Sequence, residues 1–159
     1  MKKKIKLFVM DVDGTLTDGK IYMGNSGEVF KAFDIKDGYG VHEILPVYGI
    51  DAVIMTGRYS QIVQNRAKEL EIKYVLQNVK NKGEELLKLA RETNCDVEEI
   101  AYIGDDIIDV EPMKMCGLKG CPADAVTEVK EICDYVSVKK GGEGAVRDFI
   151  EWIVRKENV

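Results

Sequence analysis

The chain reads as an α/β protein: a doubly wound, Rossmann-like parallel sheet with a β-hairpin inserted after its first strand. Three observations predict this. Short apolar runs alternate with longer stretches of helical period, which is how a parallel sheet covered by helices on both faces is written. Several of those runs end on an acidic residue or a glycine turn. One pair of β-like segments, on either side of Gly24-Asn-Ser-Gly27, interrupts the alternation once.

Ile5–Met10 (IKLFVM) is a compact apolar run that stops at Asp11, as a buried strand would. Lys20–Met23 and Glu28–Asp34 follow as the arms of the hairpin, with Gly24–Gly27 as its turn. Val29, Phe30, Ala32 and Phe33 leave the second arm more apolar than a free hairpin should be, which points to an oligomer contact or a gate. Ala52–Met55, Lys73–Leu76 and Ile100–Ile103 repeat the form of the first strand. Helices are predicted at Gln61–Leu70, Gly83–Thr93, around Ile107–Cys116, near Ala125–Ile132 and at Ala145–Arg155. In the last, Val146, Phe149, Ile150, Ile153 and Val154 share one face. Asp96 followed by Glu99 reads as a capping box ahead of the Ile100 strand.

A length of 159 residues with 45% hydrophobic and 32% charged residues suits one domain, 1–159, with the hairpin at about 19–36 as its only insertion. No apolar stretch reaches the roughly 18 to 20 residues of a membrane span. The start, Met1-Lys-Lys-Lys-Ile-Lys, looks like a signal n-region, but Asp11 and Asp13 interrupt the apolar run too soon for a secretory signal. A net charge of −5 with scattered lysines argues against nucleic acid as a partner. The expected location is the cytoplasm. Cys95, Cys116, Cys121 and Cys133 form no C-x-x-C pair, and His42 is the sole histidine. A structural zinc site and a histidine-based triad both lack their parts, so the cysteines read as small buried thiols. Catalysis here has to run on carboxylates, hydroxyls and lysines.

Those residues stand at the ends of the apolar runs. Asp11-Val-Asp13-Gly-Thr15 leaves the first strand on a glycine turn, so both aspartates can face one cleft. Carboxylates that close repel unless a cation or a shared proton intervenes, and a hard divalent ion, magnesium for choice, resolves the conflict. Ile100–Ile103 ends in Gly104-Asp105-Asp106, with Asp109 four residues beyond Asp105. Between the two clusters lie Thr56-Gly57-Arg58 and Lys82. Each of these features has an ordinary explanation when taken alone, such as a capped turn, an aspartate at a helix start or a solvated lysine.

Taken together, D-x-D, then T, then K, then G-D-D-x-x-x-D resembles the haloacid dehalogenase-like superfamily over nearly the whole chain. The resemblance implies phosphate ester hydrolysis through an aspartyl-phosphate on Asp11, with Asp13 as acid and then base. It implies that Thr56 and Lys82 hold the phosphoryl oxygens, and that Asp11, the carbonyl of Asp13 and Asp105 ligate magnesium. Asp109 is read as an orienter rather than a ligand. With 42 residues between Asp13 and Thr56 and 25 between Thr56 and Lys82, neither gap holds the cap domain of many members. The site of a capless member is enclosed another way, and a neighbouring subunit is the obvious candidate.

The stretch from Asp18 to Gly40, with Gln77, Asn81-Lys82 and Gly141-Gly-Glu-Gly-Ala-Val-Arg147, is similar to the 3-deoxy-D-manno-octulosonate 8-phosphate phosphatases. This implies an acidic 2-keto sugar phosphate as substrate, a step in lipopolysaccharide biosynthesis, and a homotetramer whose hairpins meet. Substrate contacts are then expected from Asp13, Asp34, Lys36, Asp37, Gly38, Arg58, Arg66 and Lys82. Arg147 and its glycine-rich approach would close over a neighbour's site or simply cap the last helix. His42 stands where that family often has arginine, and Thr15 replaces a common valine. Arg58 favours the octulosonate over the sialic-acid and nonulosonate 9-phosphate phosphatases, which tend to have glutamate there. A phosphoaspartate receiver module is the reading from another class, but receivers have no later G-D-D-x-x-x-D.

Overall fold

The central strand of the sheet is the first in the sequence. In the computed structural model, which describes residues 3–157, six strands form one sheet: β1 (Leu7–Met10), β4 (Asp51–Met55), β5 (Tyr74–Leu76), β6 (Ile100–Ile103), β7 (Leu118–Cys121) and β8 (Tyr135–Val136). The first two residues of the lysine-rich start and the last two of the expected domain lie outside the described residues. Their order is β5-β4-β1-β6-β7-β8, and every pairing is parallel. The chain winds outward from β1 through β4 to β5, then returns to pair β6 with the other side of β1. That reversal opens a crevice at the carboxyl ends of β1 and β6, where doubly wound sheets place their ligands.

Alternation along β1 shows why both faces are covered. Phe8 and Met10 join a cluster with Ile54, Ile103, Val146, Phe149 and Ile150, while Leu7 and Val9 join Met55, Tyr102, Leu86, Leu89 and Met113 on the opposite face. Each such side chain contributes about 1.5 to 3 kcal/mol by leaving water. The first face is covered by α3 (Gln61–Glu69) and α7 (Ala145–Glu157), the second by α4 (Lys82–Glu92), α5 (Ile107–Met115) and the short α6 (Thr127–Lys130). All five residues predicted for the inner face of α7 are buried, and Phe149 meets Phe8 with ring centroids 5.8 Å apart. The Asp96–Glu99 capping box is present on a single 3₁₀ turn.

Four features depart from the expectation. The hairpin is shorter: β2 (Tyr22–Gly24) pairs antiparallel with β3 (Gly27–Phe30), apart from the main sheet. Phe33 therefore lies beyond the strand, packed on the core, while Phe30 remains half exposed. Residues 35–47, the first two of them expected within the hairpin and the rest without an assignment from the sequence, are helical: α1 (Ile35–Tyr39), a π-helical turn (Gly40–Ile44) and α2 (Leu45–Val47). Strands β7 and β8 were not expected, and α6 is four residues rather than the eight of Ala125–Ile132. Among the described residues no helix is long and apolar enough to cross a membrane.

Candidate active site

Register alone brings three motifs level. Met10 pairs with Ile54 on one side and Ile103 on the other, so Asp11 leaves the sheet beside Met55 and Gly104, one step before Thr56 and Asp105. A Cβ at Gly14 would collide with the Asp105 carboxylate, and its φ of +89° is one that favours glycine. The glycine of D-x-D-G is therefore what lets the two acidic clusters approach. Thr15 Oγ1 donates to Asp105 Oδ1 at 3.1 Å and ties the same two segments.

Lys82, the first residue of α4, crosses the crevice. Its Nζ lies 3.0 Å from Asp11 Oδ1 and 2.8 Å from Asp109 Oδ1, and all three groups are buried. Burial opposes the ammonium, but Asp11 and Asp109 outweigh it and hold the Lys82 pKa above its ordinary value. Burial and then the charge of Asp109 push Asp11 well above the usual carboxylate range, against the pull of Lys82. The same two causes raise Asp105 to about 6. Oxygens of Asp11, Asp105 and Asp109 lie within 4.8 Å of one another. One ammonium facing three carboxylates leaves a deficit of positive charge, and the all-oxygen donor set fits a hard divalent cation.

Asp109 is fully engaged otherwise. Its Oδ1 accepts from Lys82 and Tyr102, and its Oδ2 from the backbone N–H groups of Asp105 and Asp106. The residue caps α5 from inside its first turn while Asp106 caps it from outside. Asp105 thus stands ahead of the helix rather than within its first turn.

Asp13 turns the other way, toward the hairpin. Lys31 Nζ donates to its Oδ1 at 2.6 Å, and Arg58 Nη1 stands 3.7 Å from its Oδ2. Asp11, Asp13, Thr56, Arg58, Lys82 and Asp105 therefore gather at the carboxyl ends of β1, β4 and β6 and at the start of α4.

The rest of the expected substrate contacts lie elsewhere within the chain. Asp34 caps α1 by accepting from the N–H groups of Lys36 and Asp37. Asp37 is buried and accepts from the Arg147 N–H at 2.9 Å. It supplies the cap that α7 lacks, since glycine stands just before Ala145, and burial raises its pKa to about 6. Lys36 is exposed, with its carbonyl 3.5 Å from Arg147 Nη1. Arg66 pairs with Glu69 at 2.8 Å, covers the Phe33 ring at 5.6 Å, and lines a small separate cavity with Asp34, Asp37 and Gly38. The Gly141–Arg147 segment packs on its own chain: Gly142 N–H bonds Thr15 O at 3.2 Å, and Arg147 covers Tyr39 at 4.9 Å. His42 faces Glu43 and Glu71 beside Asp51, at the end of β4 opposite Thr56.

Sequence reasoning missed Glu28, Lys31 and Tyr102. An i,i+3 acid–base pair on a hairpin is an ordinary surface pattern, and a tyrosine inside an apolar strand reads as core. No signal in one sequence separates them from the background.

Comparison with known proteins agrees with this geometry. Residues 74–150 match the haloacid dehalogenase-like hydrolase family. The 3-deoxy-D-manno-octulosonate 8-phosphate phosphatase of Yersinia pestis is 41% identical over 150 residues, 94% of this chain and 80% of the relative. That of Escherichia coli K12 is 40% identical over 152 residues, 96% and 80% of the two chains. The crystal structure of the Moraxella catarrhalis phosphatase, in complex with magnesium, phosphate and KDO, superposes with a TM-score of 0.92 at 38% identity, covering 97% of this chain and 88% of that one. The cobalt-bound Haemophilus influenzae phosphatase gives 0.93 at 34% identity, with 98% and 90% covered.

Proposed function

The chain belongs to the 3-deoxy-D-manno-octulosonate 8-phosphate phosphatase family of haloacid dehalogenase-like hydrolases, and from that premise we propose that it hydrolyses this acidic 2-keto sugar phosphate in a magnesium-dependent reaction. The observation that carries the reading is the meeting of Asp11, Lys82 and Asp105 at the switch point of the sheet, with Asp13 and Arg58 beside them.

Asp11 is the nucleophile. Its Oδ1 is held by the Val12 N–H at 2.7 Å and by Lys82, which fixes the carboxylate for in-line attack. In the first half-reaction an Asp11 oxygen bonds to phosphorus while the phosphorus–sugar oxygen bond breaks, and Asp13 gives its proton to that oxygen. In the second, water attacks phosphorus and gives a proton to Asp13, and the Asp11–phosphorus bond breaks to free phosphate. Thr56 and Lys82 hold the phosphoryl oxygens, and Arg58 faces the sugar acid. Asp11, Asp105 and the main-chain carbonyl of Asp13 would hold magnesium, which supplies neutralisation of phosphoryl charge. Asp109, with its oxygens taken by four hydrogen bonds, orients Lys82 and the Asp105 turn.

The reading takes residues 1–159 as one domain, built on a single six-stranded sheet with a core on each face. It takes the active unit as a homotetramer whose hairpins close the sites in place of a cap. Met23, Val29, Phe30 and Ile35 are 68%, 61%, 50% and 82% exposed, an apolar strip that association would cover. Four unpaired thiols fit a reducing, cytoplasmic compartment. Asp34, Asp37, Gly38 and Arg66, which border another cavity within the chain, remain with the substrate only if a neighbouring copy presents them, and so does the exposed Lys36 beside them.

A panel of phosphate esters tests the function: octulosonate 8-phosphate, a nonulosonate 9-phosphate, phosphoserine and a nucleotide, each with magnesium. The octulosonate ester should lead in kcat/KM. Preference for the nonulosonate would move the substrate within its class, and preference for phosphoserine or the nucleotide would reject the class.

A further inference from the structure

Lys31 is a buried cation in an exposed neighbourhood. Its side chain is 3% exposed, although Val29 and Phe30 just before it are more than half and half exposed. A lysine stem is long enough to carry its head to water, and burying an ammonium costs several kcal/mol unless partners offset it. Here it turns inward. Nζ donates to Asp13 Oδ1 at 2.6 Å and to Glu28 Oε2 at 3.0 Å. Glu28 is held in turn, accepting from Ser60 Oγ at 3.1 Å and from Arg58 Nη1 at 3.4 Å. Ser60 is fixed by Gln77, which takes its N–H at 2.8 Å and donates back to its carbonyl at 3.2 Å. Contacts therefore run without a break from the segment after β5 to the hairpin and on to Asp13.

We propose that Lys31 is a positioning residue for Asp13 in the phosphatase reaction, and that Glu28 is the group that sets Lys31. Asp13 lies on a turn next to Gly14, where the backbone alone does not choose a rotamer for its carboxylate. Lys31 takes one oxygen and thereby chooses it. The other oxygen, Oδ2, is 3.7 Å from Arg58, beyond hydrogen-bond length, and is the one free to exchange a proton with the ester oxygen or with water. The hairpin thus has a chemical task besides covering the cleft. The inference rests on the assignment of proton transfer to Asp13.

The test compares Lys31→Met, Lys31→Arg, Glu28→Gln, the Glu28→Gln/Lys31→Met double variant and Asp13→Asn in the full-length protein with magnesium and octulosonate 8-phosphate. Lys31→Met should lower kcat about 10- to 100-fold, the cost of misplacing a reacting group, with KM within about twofold of wild type. Lys31→Arg should recover most of that loss. Glu28→Gln should give a smaller loss of the same kind, and the double variant should be no worse than Lys31→Met alone, because Glu28 acts through Lys31. Lys31→Gln serves if the methionine variant does not fold. A raised KM with unchanged kcat would make Lys31 a substrate contact and overturn the inference. Inactive Asp13→Asn beside fully active Lys31→Met would overturn the inference alone, while an active Asp13→Asn would remove the acid–base assignment beneath it.

Discussion

Lys82 and Asp11 form a buried ion pair 3.0 Å long, and that lysine is also bonded to Asp109 on a third element. One ammonium thus ties the start of α4 to the carboxyl ends of β1 and β6. Lys82→Met should lower turnover by about a hundredfold or more, as expected for a lost charge-stabilising donor. In EDTA it should also cost about 3 kcal/mol of stability, the usual penalty for leaving buried carboxylates without their cation. Magnesium should narrow that gap. Urea unfolding with and without the metal measures both effects.

Asp11→Asn should reduce turnover by about a thousandfold or more, the scale of losing a nucleophile. Burial and Asp109 already disfavour the Asp11 charge, so the variant should be at least as stable as wild type in the absence of metal. EDTA should silence the wild-type enzyme and added magnesium restore it. Kinetics and thermal unfolding on the same preparations check the set.

Asp37 gives a pH signature. Its folded pKa of about 6 lies above the value of an exposed aspartate, so its contribution to stability is full below about pH 4 and is lost as pH rises through 6. The loss is on the order of 3 kcal/mol for a shift of this size. Asp37→Asn keeps an acceptor for the Arg147 N–H and should flatten that window. Unfolding free energies of the two proteins between pH 4 and 7 give the difference directly.

Phe30→Lys should dissociate the proposed tetramer while leaving the fold intact, because that ring is half exposed on the single chain. Activity should fall more on the sugar phosphate than on a small generic ester. Phe33→Lys is a different experiment: Phe33 packs on the core under Arg66, so that variant should lose stability first. Light scattering and melting temperature separate the two.

Arg58→Glu should lower preference for the octulosonate ester over a small generic ester by about tenfold or more, the worth of one charge-assisted hydrogen bond. Competition between the two esters measures it. Unchanged preference would place recognition of the sugar acid on other cations.

The elements legible in the sequence are those whose own residues decide them. β1, β4, β5 and β6 are apolar throughout or nearly so, and α3, α4 and α7 have clear faces. The unforeseen ones are decided by their neighbours. β7 reads Leu-Lys-Gly-Cys, a poor strand, yet a Cβ on Gly120 would press on the Phe149 ring at 2.6 Å, so α7 demands the glycine. The helical stretch 35–47 contains Gly38, Gly40 and Pro46, which argue against helix, but Arg66 crowds the first glycine and Ile150 and Arg147 the second. In the site, D-x-D, Thr56, Lys82 and Gly104-Asp105 were legible because each sits at the end of a recognisable strand or the start of a helix. The direction of Asp37 and Arg66 was not, because a side chain's inward or outward turn within a loop has no period to reveal it.

The register of β1 also orders events in time. Leu7 pairs with Asp51 and with Ile100, and Asp11 draws its cation from residue 82. A ribosome therefore delivers the nucleophile long before it delivers Lys82, Asp105 or Asp109. Until then the central strand has an open edge and no partner on one side, a state that favours slow folding and exposes the nascent chain to aggregation. The phosphatase centre cannot be assembled until the growing chain has passed Asp109, with β7, β8 and α7 still to come.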